Sequence, residues 1–186
     1  MKKALIVIDY SNDFIHEDGA LSCGVAGRDI ETAITKLVTT FTKNGDLVVQ
    51  AVDGHKKNDS YHPETSLFPP HNIYNTWGRE LYGEVGRTFQ EGVHVYLDKT
   101  RYSAFAGTPL ELLLRERGIE ELHLVGVCTD ICIMHTAVDA YNKGFRIAIH
   151  EDAVASFDEN THHVALNHFK TCLGSEVVRG KKEGSQ

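Results

Sequence analysis

Short apolar runs alternating with stretches of helical spacing restrict what this chain can fold into more than any other feature. Residues 4–8, 47–52, 94–97, 122–127 and 145–149 lack the clean polar alternation of a half-exposed strand. Between the first two, residues 29–41 place Ile30, Ala33, Ile34, Leu37, Val38 and Phe41 at helical spacing, and Asn44-Gly45 stops the helix. Helices are further predicted over 79–90, 110–117, 129–143 and 162–173, with Gly118 and Gly144 as stops, and Glu176–Val178 reads as a sixth strand. Strands apolar on both faces and separated by amphipathic helices predict a parallel sheet covered on both sides. Ligands of such sheets bind beyond the carboxyl ends of the strands. That rule singles out Asp9, Asp53, Lys99 and the segment from Cys128 to Cys132.

At 186 residues the chain fits one domain, predicted over 1–180, with a polar tail at 181–186 that reads as disordered. The stretch from Asp53 to about Trp77 carries most of the prolines and several histidines, and a loop that long inside a compact domain points to function. Twenty-six acidic against 19 basic residues give a net charge of −7, which argues against binding nucleic acid or an anionic membrane. No run approaches the roughly 20 apolar residues of a membrane span. The apolar start at 4–8 is too short for a secretory leader and meets Asp9, so the chain reads as cytoplasmic. Four cysteines are too few and too scattered for a disulfide scaffold. Cys23 and Cys172 read as small buried hydrophobes.

The other two cysteines stand in Gly126-Val127-Cys128-Thr129-Asp130-Ile131-Cys132, which runs from a strand straight into a helix. With Thr129 as N-cap, Cys132 is the third helical residue, near unpaired N–H groups and the positive end of the helix dipole. That setting lowers a thiol pKa, and the N–H groups of the turn can hold an oxyanion. The three-residue spacer between the cysteines fits neither a thioredoxin-like pair nor half a zinc ribbon. Spacing alone leaves Cys132 equally readable as a nucleophile or as a core cysteine. A nucleophile needs a base, and none of the 11 histidines falls at a strand end. Asp9 does; a carboxylate partly desolvated there has a raised pKa that suits proton shuttling, and Lys99 at another strand end would hold it in place. Taken singly, Asp9 reads more readily as a loop-capping or turn residue and Lys99 as a solvated surface charge than as functional groups.

The long loop opens with Asp53-Gly54-His55, whose alternate side chains share a side in extended backbone. With His71 and one of Glu64 or His62 they offer a mixed nitrogen and oxygen site suited to Zn²⁺, Mn²⁺ or Fe²⁺ rather than Ca²⁺.

Together these pieces resemble the isochorismatase-like cysteine hydrolases, and within them the bacterial nicotinamidases. The likeness rests on Asp9, Lys99 and Cys132, on Asp53-Gly54-His55, Tyr61-His62-Pro63-Glu64 and residues 67–71, and on residues 99–105 and 126–132. It implies a three-layer α/β/α Rossmann-like fold with six parallel strands in the order 3-2-1-4-5-6. In that order strand three lies about 10 Å from strand one, so Lys99 must reach across or its loop must fold back. The resemblance further implies Asp9 as proton shuttle, Lys99 as its charged partner and Cys132 as nucleophile. The backbone N–H groups of Cys128 and Cys132 would form the oxyanion hole, with a cis peptide at Val127–Cys128. Asp53, His55, Glu64 and His71 would hold one divalent metal, zinc first, and Phe14, Phe68 and Tyr102 would enclose a pyridine ring.

The implied activity is hydrolysis of nicotinamide, and of pyrazinamide, to the acid and ammonia through a thioester, in NAD salvage. Relatives of this kind form dimers or tetramers. Isochorismatases proper lack the cysteine and the metal loop, and carbamoyl amidases lack the Asp53/His55/His71 ligands. The rivals are another cysteine amidase of the family, a metallo-hydrolase attacking with a bound hydroxide, and a non-enzymatic metal- or thiol-sensing module.

Overall fold

The computed structural model describes residues 1–180. Strands β1 (Lys2–Ile8), β2 (Leu47–Asp53), β3 (Val95–Lys99), β4 (Ile119–Val127), β5 (Arg146–Ala155) and β6 (Glu176–Val178) form one parallel sheet in the order β3-β2-β1-β4-β5-β6. This is the expected six-stranded α/β/α fold. The polar tail expected at 181–186 lies outside the described residues.

The period-two geometry of a strand explains why the central runs are apolar throughout. On one face Ala4, Ile6, Ile8, Leu122, Leu124, Ile147 and Ile149 pack under α5 (Leu110–Glu116), α6 (Met134–Asn142) and α7 (Glu159–Thr171). On the other, Leu5, Val7, Val48, Val125 and Val127 meet Ile34, Val38 and Phe41 of α3 (Glu31–Lys43). Each of the larger of these side chains (Val, Leu, Ile and Phe), fully buried, contributes about 1.5–3 kcal/mol. Truncating Leu5 or Ile6 at the centre of the sheet would cost about 2–5 kcal/mol, because neither neighbouring layer can collapse onto the gap.

Three local expectations change, and one stretch left open is filled. The helix over 79–90 is cut to α4 (Gly83–Arg87), because Gly83 takes φ +52, outside the right-handed helical region. Strand β5 runs on to Ala155 through His150-Glu151-Asp152, charged residues that break the apolar pattern. Two short helices, α1 (Asn12–Ile15) and α2 (Gly24–Asp29), carry the chain from the end of β1 to α3. Cys23 is buried, but Cys172 is exposed: it caps the C-terminus of α7, where the helix leaves the core.

Candidate active site

Asp9 follows β1 directly, with φ +54, and its N–H donates to the Ala51 carbonyl of β2 at 2.9 Å. Its carboxylate in turn accepts the Asp53 N–H on Oδ1 at 2.8 Å. Lys99 ends β3 opposite Asp53 in the strand register. Its Nζ lies 2.6 Å from Asp53 Oδ1, 2.8 Å from Asp9 Oδ2 and 3.6 Å from Cys132 Sγ. The length of the lysine side chain therefore spans the strand between β3 and β1, and the loop need not fold back. Lys99 is not a surface charge: it and both aspartates are fully buried.

Cys132 reaches the same point from the opposite side. At Gly126 (φ +110) β4 passes so close to β1 that a Cβ would run into the Ile8 carbonyl. The Val127–Cys128 peptide is cis, and a π-helical turn, Thr129–Ile133, precedes α6. The cap of that turn is Cys128 rather than Thr129: the Cys128 carbonyl accepts the N–H groups of Ile131 and Ile133, both at 3.1 Å. The Thr129 hydroxyl instead meets His162 Nδ1 at 2.8 Å, and Ser156 donates to Asp130. Two bonds, one from the residue that follows β5 and one from α7, thus pin the turn that carries the thiol.

Burial governs the ionisation of this group. It pushes the Cys132 thiol well above its usual range; Lys99 pulls the other way, and Asp9 and Asp53 push upward again. The lowered thiol pKa anticipated from the helix terminus is therefore reversed, because the turn buries the sulfur beside two carboxylates. Burial also raises Asp9, to about 7, aided by Asp53 and opposed by Lys99. Lys99 is desolvated too, yet the two carboxylates hold it well above the ordinary lysine range, so it stays charged. The result is a protonated thiol beside a carboxyl of intermediate pKa, with a fixed cation against both.

Next to this group, Asp53, His55, Glu64 and His71 bring one ligand atom each to within 4.8 Å of one another, and all four are buried. Asp53 Oδ2, His55 Nε2 and His71 Nε2 have no hydrogen-bond partner. Buried polar atoms left so are costly, and a divalent cation among them removes that cost. Pro69 accepts from His71 Nδ1 at 2.8 Å, which leaves the Nε2 lone pair free for coordination. Glu64 Oε2 lies 3.6 Å from that Nε2. His62, the alternative fourth ligand, uses both ring nitrogens elsewhere: Nε2 on the Thr100 carbonyl at 2.7 Å and Nδ1 on the Glu64 N–H at 3.3 Å. The donor set of two imidazoles and two carboxylates fits a metal such as zinc.

Phe14, Phe68 and Tyr102 line a cavity of about 10 Å³ together with Cys132, Glu64 and His71. That volume holds little more than a water, so a ring must part these side chains to enter. Asp53 and Cys128 line it too, as do Leu21, Ile131 and Phe157, which were not anticipated from sequence. Neither were Ser11, Asp13 and Asn72, which bind the loop carrying His71 to α1 through Ser11 Oγ to Asn72 Oδ1 at 2.8 Å and Asn72 N–H to Asp13 Oδ2 at 2.7 Å. The position of Asp13 in the first turn after β1 was the available signal.

A parallel sheet with a buried thiol, carboxylate and ammonium at its carboxyl edge defines an α/β/α protein with its chemistry at the strand ends. An isochorismatase domain model matches residues 3–180, and the chain belongs to that family. A Bacillus subtilis isochorismatase family protein, PncA, is 61% identical over 96% of this chain and 100% of its own length. The crystal structure of a nicotinamidase/pyrazinamidase from B. subtilis superposes with a TM-score of 0.94 at 59% identity, covering 96% of this chain and 100% of that one. A pyrazinamidase/nicotinamidase from Streptococcus mutans gives 0.93 at 45%, covering 95% and 100%. A Pyrococcus horikoshii pyrazinamidase crystallised in complex with zinc gives 0.86 at 28%, covering 97% and 100%.

Proposed function

We propose that this protein is a nicotinamidase: an amidohydrolase that converts nicotinamide, and pyrazinamide, to the ring carboxylate and ammonia in NAD salvage. The observation that carries the reading is Lys99 Nζ within 2.8 Å of Asp9 and 3.6 Å of Cys132, beside a four-residue donor set.

Asp9 takes the proton from Cys132, and Sγ adds to the carboxamide carbon. The backbone N–H groups of Cys128 and Cys132 hold the oxyanion. Asp9 returns the proton to the departing ammonia, leaving a thioester. It then deprotonates a water that attacks this thioester, releasing the acid and restoring the thiol. A carboxyl with a pKa of about 7 can both accept and return a proton near neutral pH. Lys99 stays protonated throughout, holding the Asp9 carboxylate in place and favouring the thiolate.

Asp53, His55, Glu64 and His71 hold one divalent ion, zinc first, with manganese or iron as alternatives. When bound, that ion supplies an acceptor for the ring nitrogen, directly or through water, and so orients the carboxamide. Phe14, Phe68 and Tyr102 enclose the ring. Among the described residues no helix is long and apolar enough to cross a membrane. A cytoplasmic dimer or tetramer is the setting we infer, and light scattering would test the assembly.

The decisive experiment is an ammonia-release assay on nicotinamide, with metal content measured on the same sample. Turnover with bound metal is the expected result. A metal-replete protein that releases no ammonia from nicotinamide would overturn the reading.

A further inference from the structure

We propose that Asp13 is a positioning residue for the metal site, setting the separation of His55 and His71 through Asn72. Asn72 follows His71 directly, at φ +44, and its carbonyl accepts the His55 N–H at 3.0 Å. One residue therefore joins the two imidazole ligands through the backbone. It is held in that unusual conformation from outside: its N–H donates to Asp13 Oδ2 at 2.7 Å, and its side-chain Oδ1 accepts from Ser11 Oγ at 2.8 Å.

Asp13 has a second attachment. Its Oδ1 accepts the Ala20 N–H at 3.1 Å, and its own carbonyl accepts the Leu21 N–H at 3.0 Å. Both carboxylate oxygens are thus spent on backbone N–H groups of two different loops. The side chain is 8% exposed, and Gly78 packs so close that a Cβ there would collide with the carboxylate. Charge-assisted bonds from a buried carboxylate are strong and directional. Asp13 therefore ties the loop carrying His71 to α1, which carries Phe14, and to the segment carrying Leu21. Metal ligands and ring-contacting side chains share one anchor that touches neither metal nor substrate.

Asp13→Ala leaves the Asn72 N–H buried and unpaired, while Asp13→Asn keeps the volume and one acceptor but turns a donor toward the other N–H. This inference rests on the metal reading above, so wild-type affinity for zinc is measured first, by competition with a chromophoric chelator. Wild type that binds no zinc defeats the metal reading. With wild type binding, Asp13→Ala should weaken zinc by about 10- to 100-fold, the range for lost outer-shell partners of metal ligands. Asp13→Asn should fall between, and in both KM for nicotinamide should rise more than kcat falls. A purely structural role predicts a lower melting temperature with zinc affinity unchanged, and that result in Asp13→Asn overturns the proposal. If Asp13→Ala fails to fold, Asp13→Asn and Ser11→Ala decide it, since Ser11 holds the same Asn72 without touching a ligand.

Discussion

Lys99 Nζ and Asp53 Oδ1 lie 2.6 Å apart on neighbouring strands, and Asp53 is also one of the four residues of the candidate metal donor set, with its Oδ2 left without a hydrogen-bond partner. One carboxylate thus belongs both to the group around the thiol and to the proposed ion site. Removing Lys99 leaves Asp9 and Asp53 buried without their cation, which costs about 3–5 kcal/mol. Lys99→Met should therefore lower the melting temperature markedly and reduce kcat/KM by about 10²-fold or more. A variant with wild-type turnover would remove Lys99 from the chemistry.

The thiol mechanism and the bound-hydroxide alternative part at Cys132. Cys132→Ala should cut ammonia release to below about one-thousandth while zinc content stays at the wild-type level. Alkylation of wild type should inactivate in the same way, and nicotinamide should protect. Retained turnover in the variant would remove the Cys132 sulfur from the attack.

The carboxyl edge of the sheet was legible because Asp9 and Asp53 directly end apolar runs and Lys99 follows one after Asp98. What the sequence could not supply was the reach of Lys99 across β2, since that depends on strand order and side-chain length together. Thiol ionisation was misread for a related reason. A helix terminus predicts a lowered pKa, but the turn buries Cys132 beside Asp9 and Asp53, and burial first, then the two carboxylates, push the thiol up. Asp13 and Asn72 escaped notice because an acidic residue and an asparagine in loops have many ordinary explanations, and only the folded backbone brings them together.

Metal removal gives a test that does not pass through catalysis. Asp53, His55 and His71 carry unpartnered buried atoms, so an ion binding only the folded state should stabilise it by about 2.7 kcal/mol at a hundredfold excess over its dissociation constant. Zinc added to chelator-treated protein should raise the melting temperature, and Cys132→Ala should show the same rise. In kinetics, chelation should raise KM for nicotinamide. An unchanged KM in a verified metal-free sample would take the ion out of substrate binding.

Away from the active site, acid sensitivity should centre on a histidine pair between β4 and β5. His123 Nδ1 meets His150 Nε2 at 2.8 Å, and His123 Nε2 meets Glu121 at 3.0 Å. Burial pushes His150 down from 6.5 to about 4, His123 and Lys3 add to the effect, and Asp152 opposes it. An unfolded chain takes up a proton at this histidine near pH 6.5, whereas the folded chain resists until about 4. Stability is therefore complete above the unfolded value and is lost as pH falls through that window. At ~1.4 kcal/mol per pH unit the loss approaches about 3 kcal/mol. Replacing the ring in His150→Gln removes this one proton from the balance. Urea unfolding of wild type and variant at pH 7.5 and pH 5 should show a smaller acid loss in the variant. Equal losses would mean that the pair titrates alike in both states and that acid sensitivity arises elsewhere.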